Sequence, residues 1–208
     1  MKLAIFGATG KTGRLLVEQA LAAGHSVRGL ARDPAKLALQ HPQLALVQGN
    51  ALDATPVADT IRGTDVVISA LGIGAGNPED AITRAVQNMV AAMTAQGQRR
   101  LIVISSLGIG DSYHQIPLRF KLAMKAIPVL RTTMADIGRM EEYLKTTALD
   151  WIVVRPGGLE DGPARGHWSV STPQDELSAG NLPRADVAAF MLQQLESPQF
   201  VRQTPGVT

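Results

Sequence analysis

The chain has 208 residues, 45% of them hydrophobic, so a substantial core is expected and disorder is not. Its formal charge of +2, with no continuous basic tract, argues against nucleic acid as a partner, and the lack of Cys excludes disulfides, thiolate catalysis and Cys-ligated metals. No apolar run reaches the ~18 residues that span a bilayer, and the first apolar run starts directly behind Lys2; the chain is therefore expected to be cytoplasmic, without a cleaved signal and without a membrane partner.

The first strand is predicted over Leu3 to Phe6. It runs straight into Gly7-Ala8-Thr9-Gly10-Lys11-Thr12-Gly13, and an amphipathic helix follows from about Lys11 to Ala23, stopped by Gly24 as an αL cap. Strand, glycine turn and helix stand in the order that a dinucleotide site requires. Glycines let the backbone turn sharply and approach a pyrophosphate, while the helix start offers unpaired N–H groups to the phosphates. Thr9, Gly10, Lys11 and Thr12 are thereby placed beside the phosphates. A tight strand-to-helix turn also uses glycine for purely structural reasons, and the flanking elements are what favour the nucleotide.

A second strand, Ser26 to Ala31, ends in Arg32. An acidic residue about 20 positions past the glycines binds the ribose of NAD, whereas an Arg there accommodates the 2′-phosphate of NADP. Arg32 suits a phosphate, and Lys36 adds charge four residues on. Asp33 speaks for NAD, but Asp33-Pro34 also reads as an N-cap with proline at N1, opening a second helix and engaging that carboxylate. NADP(H) is the cofactor expected; a solvated surface cation is the other reading of Arg32.

Further strand signals fall at Leu44 to Val47, Asp65 to Ala70, Leu101 to Ser105 and Trp151 to Val154, separated mostly by helix-length segments. This alternation predicts an α/β fold, a single-domain doubly wound parallel sheet of Rossmann type over residues 1–208, in strand order 3-2-1-4-5-6 with helices on both faces. The small residues after strands four and five, Ser69-Ala70-Leu71-Gly72 and Ser105-Ser106-Leu107-Gly108, flank the nicotinamide half of such a cofactor. Ser105 and Ser106 then hydrogen-bond its carboxamide or a substrate carbonyl, or else tie off loop N–H groups. Gly108 to Thr133 is the least regular long connection and the expected substrate wall.

Lys121 and Lys125, four apart on one helix face, either attract acidic groups of a substrate or form a solvated basic face, with Arg119 on a different side. Beyond strand six, Pro156-Gly157-Gly158 and Asp161-Gly162-Pro163 make a loop, His167 to Ser171 a short strand, and about Arg184 to Leu195 a last helix. Among His25, His41, His114 and His167 no pair has metal-ligand spacing, so no metal is expected. His114 alone lies where a substrate would meet it.

The glycine turn, Arg32-Asp33, Ser105-Ser106 and Arg155-Pro156-Gly157 occur in the order of the short-chain dehydrogenase/reductase superfamily, which the chain resembles. The superfamily's Tyr-x-x-x-Lys dyad is absent: four positions beyond Tyr113 stands Pro117, and four beyond Tyr143 stands Thr147. The likeness is therefore to the atypical, NmrA-like group, and within it to the biliverdin reductase B (NADPH flavin reductase) branch. It runs end to end and is most specific in Gly7 to Gly13, Arg32-Asp33, Leu71-Gly72, Ser105-Ser106 and the helix carrying Arg139 and Met140. The resemblance implies NADP(H) contacts at Gly7, Thr9, Gly10, Thr12, Arg32, Lys36, Ala51, Leu71, Gly72, Ser105 and Pro156, with hydride transfer near Ser106. Asn50, near the adenine, stands where that branch carries an acidic residue, and Ile137 and Gly158 replace histidines of its active site.

Hydride transfer without a dedicated protein acid fits this pattern. Flavins and linear tetrapyrroles accept a hydride into a conjugated system and can take the proton from solvent, so orientation carries the catalysis, with Ser106 as the catalytic candidate. Two other readings stay open: an atypical reductase or isomerase of another small molecule, such as a quinone, and a non-catalytic NADP(H) sensor. A small molecule is the expected partner, and a monomer the default state.

Overall fold

Aliphatic residues fill the central strands on both faces, as a parallel sheet covered by helices on each side demands. The strands are β1 (Lys2–Phe6), β2 (Ser26–Ala31), β3 (Leu44–Gln48), β4 (Val66–Ser69), β5 (Arg100–Ile104) and β6 (Asp150–Pro156) in a computed structural model that describes residues 1–72, 77–171 and 180–208. They lie in the order 3-2-1-4-5-6, all parallel, as the alternating pattern predicts. Two short strands extend the sheet past β6: β10 (Gly206–Val207), parallel to it, and then β8 (Val170–Ser171), antiparallel to β10. A separate parallel pair joins β7 (Gly158–Glu160) to β9 (Asn181–Pro183). Two- and three-residue strands carry no readable periodicity, so the sequence shows only β8, within the longer His167 to Ser171 prediction.

Side chains of each strand alternate between two cores. Leu3 and Ile5 of β1, Ile102 of β5 and Ile152 of β6 pack with Leu16 and Val17 of α1 (Lys11–Ala22) and Val187 and Met191 of α6 (Arg184–Gln193). Ala4, Phe6, Leu101 and Trp151 face the other way, onto α2 (Ala54–Ile61), α3 (Ala81–Ala95) and α5 (Pro128–Lys145).

Two expectations need correction. Asp33 does cap, accepting from the Ala35 N–H at 3.2 Å, but the helix it opens is a single 3₁₀ turn, Pro34–Leu37, closed by Ala38 at φ +49. Pro42 disfavours a helical His41 just beyond, so the chain cannot continue as a helix. The stretch from Gly108 to Thr133 is helical rather than irregular: a 3₁₀ segment over Gly110–Gln115, then α4 (Leu118–Ala126), then the first turns of α5. Its prolines start helices instead of breaking them, Pro117 as the N-cap of α4 and Pro128 at the first position of α5.

The glycine turn is fixed by close backbone approach. Gly7 has φ +79, and a Cβ on it would lie 2.7 Å from the Ala70 carbonyl oxygen; a Cβ on Gly13 would lie 2.0 Å from that of Gly7. Helix α1 thus sits directly on the turn. Gly13→Ala should lower the urea midpoint by the equivalent of about 1–3 kcal/mol, the usual cost of overpacking. An unchanged midpoint would show that α1 can lift off the turn freely.

Candidate functional site

Where the sheet order reverses between β1 and β4, the carboxyl ends of β1, β2, β3 and β4 surround a cavity of about 300 Å³. Gly7, Thr9 and Gly10 line it from the turn, Arg32 from the end of β2, Asn50 and Ala51 after β3, and Leu71 and Gly72 after β4. Ala81 and Ile82 close it from the start of α3. Gly10, the N-cap residue of α1, has no side-chain cap bond, and no acidic residue lies in the helix's first turn. The helix therefore presents its N–H groups and the positive end of its dipole uncompensated by side chains. At Gly72 a Cβ would meet no atom of the described residues within 4 Å, so among them this backbone lies open to a flat ligand. Both features fit a bound dinucleotide.

The loop after β3 is held from within. Asn50 Oδ1 accepts from the Leu52 N–H at 3.2 Å, and Asn88 Nδ2 donates to the Ala51 carbonyl at 3.1 Å. Arg32 is exposed, with Nη1 3.3 Å from Asn77 Oδ1. The start of α3 is fixed from α5: buried Asp136 accepts from the N–H groups of Ile82 (2.8 Å) and Thr83 (3.2 Å) and from Thr83 Oγ1 (2.6 Å). It does the capping that Asp80, the helix's own N-cap residue, does not.

Eight of the residues singled out in the sequence thus meet at this cavity, and the others lie elsewhere. Lys11 Nζ turns to Asp161, 2.6 Å away, which also pairs with Arg184 at 2.6 Å. The Lys11 hydrogen bond first, then the charges of Arg184 and Lys11, hold the Asp161 carboxyl below its ordinary range. Thr12 is buried in the first turn of α1, and Lys36 is exposed on the 3₁₀ turn, outside the lining.

Ser106 and Pro156 line a second cavity, of about 160 Å³, beyond the ends of β5 and β6. Its walls are Leu107, Ile116, Pro117 and Phe120, with Gly157, Gly158, Asn181 and Arg119 completing it. Arg119 therefore faces the Ser106 side, away from Lys121, because α4 turns Arg119 and Phe120 toward the strand ends. Lys121 instead lies over the Tyr113 ring, 5.0 Å from its centre, with Nζ 3.5 Å from the His114 carbonyl oxygen. His114 is exposed and lines neither cavity, and the Lys125 side chain lies outside the described residues. A Cβ on Gly158 would lie 2.1 Å from Asn181 Oδ1, so Asn181 takes the space of a side chain there; Ile137 is buried in the core.

Next to the second cavity lies a largely buried ionic cluster that the sequence reading missed. Arg155, closing β6, is 1% exposed. Its Nε and Nη2 donate to the two oxygens of buried Glu141 on α5 (3.1 and 2.5 Å), and its Nη1 pairs with Asp111 of the 3₁₀ segment. Ser105 is no free ligand: its hydroxyl donates to Glu141 Oε1 at 2.5 Å. Burial opposes the charge on Arg155, but the hydrogen bonds and charge of Glu141, then of Asp111, outweigh it and raise its pKa further. The available signal was a charge at a core position, Glu141 between Met140 and Leu144, and an Arg closing the apolar run Trp151 to Val154.

A doubly wound parallel sheet with a glycine turn feeding a helix at its switch point defines a dinucleotide-binding protein. The chain belongs to the NAD(P)H-binding family, whose model matches residues 7–198. It is 30% identical over 209 aligned residues to an uncharacterised chloroplastic protein of Arabidopsis thaliana, covering 94% of this chain and 73% of that one. It is 29% identical to oxidoreductase aflX of Aspergillus parasiticus, covering 92% and 76%. The solved structure of ChuY, an anaerobilin reductase from Escherichia coli O157:H7, superposes with a TM-score of 0.83 at 29% identity, over 100% of this chain and 96% of that one. The family is one of NAD(P)H-binding oxidoreductases, in keeping with the atypical, NmrA-like resemblance. No helix among the described residues is long and apolar enough to cross a membrane.

Glu141→Ala would leave Arg155 a buried cation with only Asp111 opposite it. Breaking a buried pair in this way costs about 3–5 kcal/mol, to be read from urea unfolding. A loss no larger than that of an ordinary surface substitution would mean that water reaches the guanidinium.

Proposed function

We propose that this chain is an NADPH-dependent reductase that passes a hydride to a flavin or linear tetrapyrrole, with the proton drawn from solvent. The observation that carries the reading is the second cavity: apolar walls of Leu107, Ile116, Pro117 and Phe120 beside Ser106, with Arg119 and Asn181 as its polar side chains. A conjugated ring suits the walls, and an acidic substituent suits Arg119. Tyr113 is exposed outside this cavity, and Tyr143 does not line it either. The likeness to ChuY, whose own activity is anaerobilin reduction, supports a tetrapyrrole acceptor.

When bound, the nicotinamide supplies the hydride. The turn from Gly7 to Thr12 holds the pyrophosphate through backbone N–H groups at the start of α1. Arg32 pairs with the 2′-phosphate, and Asp33, whose carboxylate accepts from the Ala35 N–H, is engaged away from the ribose. Lys36 adds to the positive field around that phosphate without lining the cavity, and Asn50 and Ala51 flank the adenine. Leu71, Gly72 and Pro156 let the ring lie against backbone. Ser106, whose hydroxyl now donates to the Leu107 carbonyl at 3.0 Å, exchanges that bond for the carboxamide or an acceptor carbonyl. The segment 108–133 forms the substrate wall of a single domain over 1–208. Orientation by these groups supplies the catalysis.

The pure protein, given NADPH and either FMN or biliverdin, should show acceptor-dependent loss of the nicotinamide absorbance. Tight NADPH binding without oxidation would overturn the reductase and favour a sensor of the NADP(H) state. Arg32→Ala should weaken NADPH binding by about 1–3 kcal/mol, the scale of lost charged hydrogen bonds, while sparing NADH, and equal losses would refute the 2′-phosphate assignment. Ser106→Ala should lower turnover more than cofactor affinity; unchanged turnover would leave the serine with loop capping only.

A further inference from the structure

Five of the seven large apolar side chains exposed among the described residues, Tyr113, Leu118, Leu122, Ile127 and Val129, lie within one stretch of chain. Leu118 is 70% and Leu122 57% exposed; four apart, they stand on one face of α4, one turn from each other. Ile127 and Val129 continue the apolar surface around the corner where α4 gives way to α5. From Ser112 to Ala135 the sequence has no Asp or Glu, while Arg119, Lys121, Lys125 and Arg131 supply four cations. Overall the chain carries almost as many acids as bases, so this segment concentrates positive charge around the largest group of exposed apolar side chains.

We infer that α4 and the α4–α5 corner form a docking surface for an anionic lipid bilayer. Exposed aliphatic side chains on a helix edged by Lys and Arg, without acids, have the chemistry of an element lying in a membrane interface: leucines enter the acyl boundary while cations stay at the headgroups. A second copy of the chain suits the surface poorly, because a two-fold contact would set the same cations against each other. Leu118, Leu122 and Ile127 line none of the described cavities, and the surface is a helix face and a corner. A fluid interface accepts such a shape without a complementary pocket, which a protein partner would have to provide. The expectation of no membrane partner, drawn from the lack of a spanning segment, does not bear on an element that lies along the interface.

The test is flotation of the intact protein with vesicles of phosphatidylcholine alone and of equal parts phosphatidylcholine and phosphatidylglycerol. Binding is expected to the anionic vesicles only, to weaken as salt is raised, and to fall at least about tenfold in the double variant L118S/L122S and in K121S/R131S. Circular dichroism and NAD(P)H binding should be unchanged in L118S/L122S, which shows that the loss is not unfolding. No binding to anionic vesicles, equal binding to both vesicle types, or full binding by L118S/L122S would overturn the inference. So would concentration-dependent dimerisation that L118S/L122S abolishes in a protein that does not float, an outcome that assigns the surface to a second copy.

Discussion

Helix α1 can begin where it does only because two carbonyl oxygens have nothing but hydrogen beside them. The Gly7 carbonyl abuts Gly13, and the Ala70 carbonyl abuts Gly7, at separations that no Cβ could occupy. These contacts draw the helix N-terminus down to the gap between β1 and β4, where the sheet order reverses. Much of the first cavity follows from that placement. The uncapped N–H groups of α1 point to the place where chain direction, strand ends and open backbone coincide, and Leu71-Gly72 can lie flat against it because Ala70 is locked to the turn. A longer side chain at either glycine would move the helix and with it the positive end of its dipole.

The second cavity depends on a different kind of constraint. Ser106 and Pro156 each follow directly on a member of the cluster, Ser105 and Arg155, and the 3₁₀ segment joins the same cluster through Asp111. Four chain segments, the ends of β5 and β6, the 3₁₀ segment and α5, are therefore tied together by the Arg155–Glu141 pair. A planar, permanently charged group with a fixed fork of donors is well suited to this, since each donor direction is set once the others are satisfied. Hydrophobic contacts alone would hold the same segments together with less angular definition. The buried charge is thus better understood as fixing the cavity's geometry than as a source of net stability.

The parts of the molecule legible in the sequence are those where one residue type has one physical use. Gly7, Gly10 and Gly13 between an apolar strand and an amphipathic helix leave few arrangements, and the six long strands announce themselves by length and β-branched content. Legibility failed where meaning depends on partners remote in sequence. Glu141 joins Arg155 and Ser105 only after α5 is laid across β5 and β6, and Asp136 caps a helix more than fifty residues away. Pro117 and Pro128 start helices in the folded chain, within the stretch from Gly108 to Thr133 whose sequence reads as irregular. That Arg119 lines the Ser106 cavity was not legible either, because its facing is set by the start of α4, and a shift of one residue in that start would turn it about 100° around the helix axis.

The cluster also bears on the missing Tyr–Lys dyad. At these strand ends the pKa of Arg155 is displaced upward, away from neutrality. Its two carboxylate partners lie at hydrogen-bond distance, so the guanidinium is committed to Glu141 and Asp111, and one cation facing two carboxylates leaves the cluster net negative. An acid–base group in this place would need the opposite arrangement, a single ionisable side chain left uncompensated beside the ligand. The cluster instead gives the cavity a rigid floor whose donors and acceptors are engaged with one another. Chemistry that is completed by orientation and solvent, such as hydride transfer into a conjugated ring, is what a floor of that kind can support.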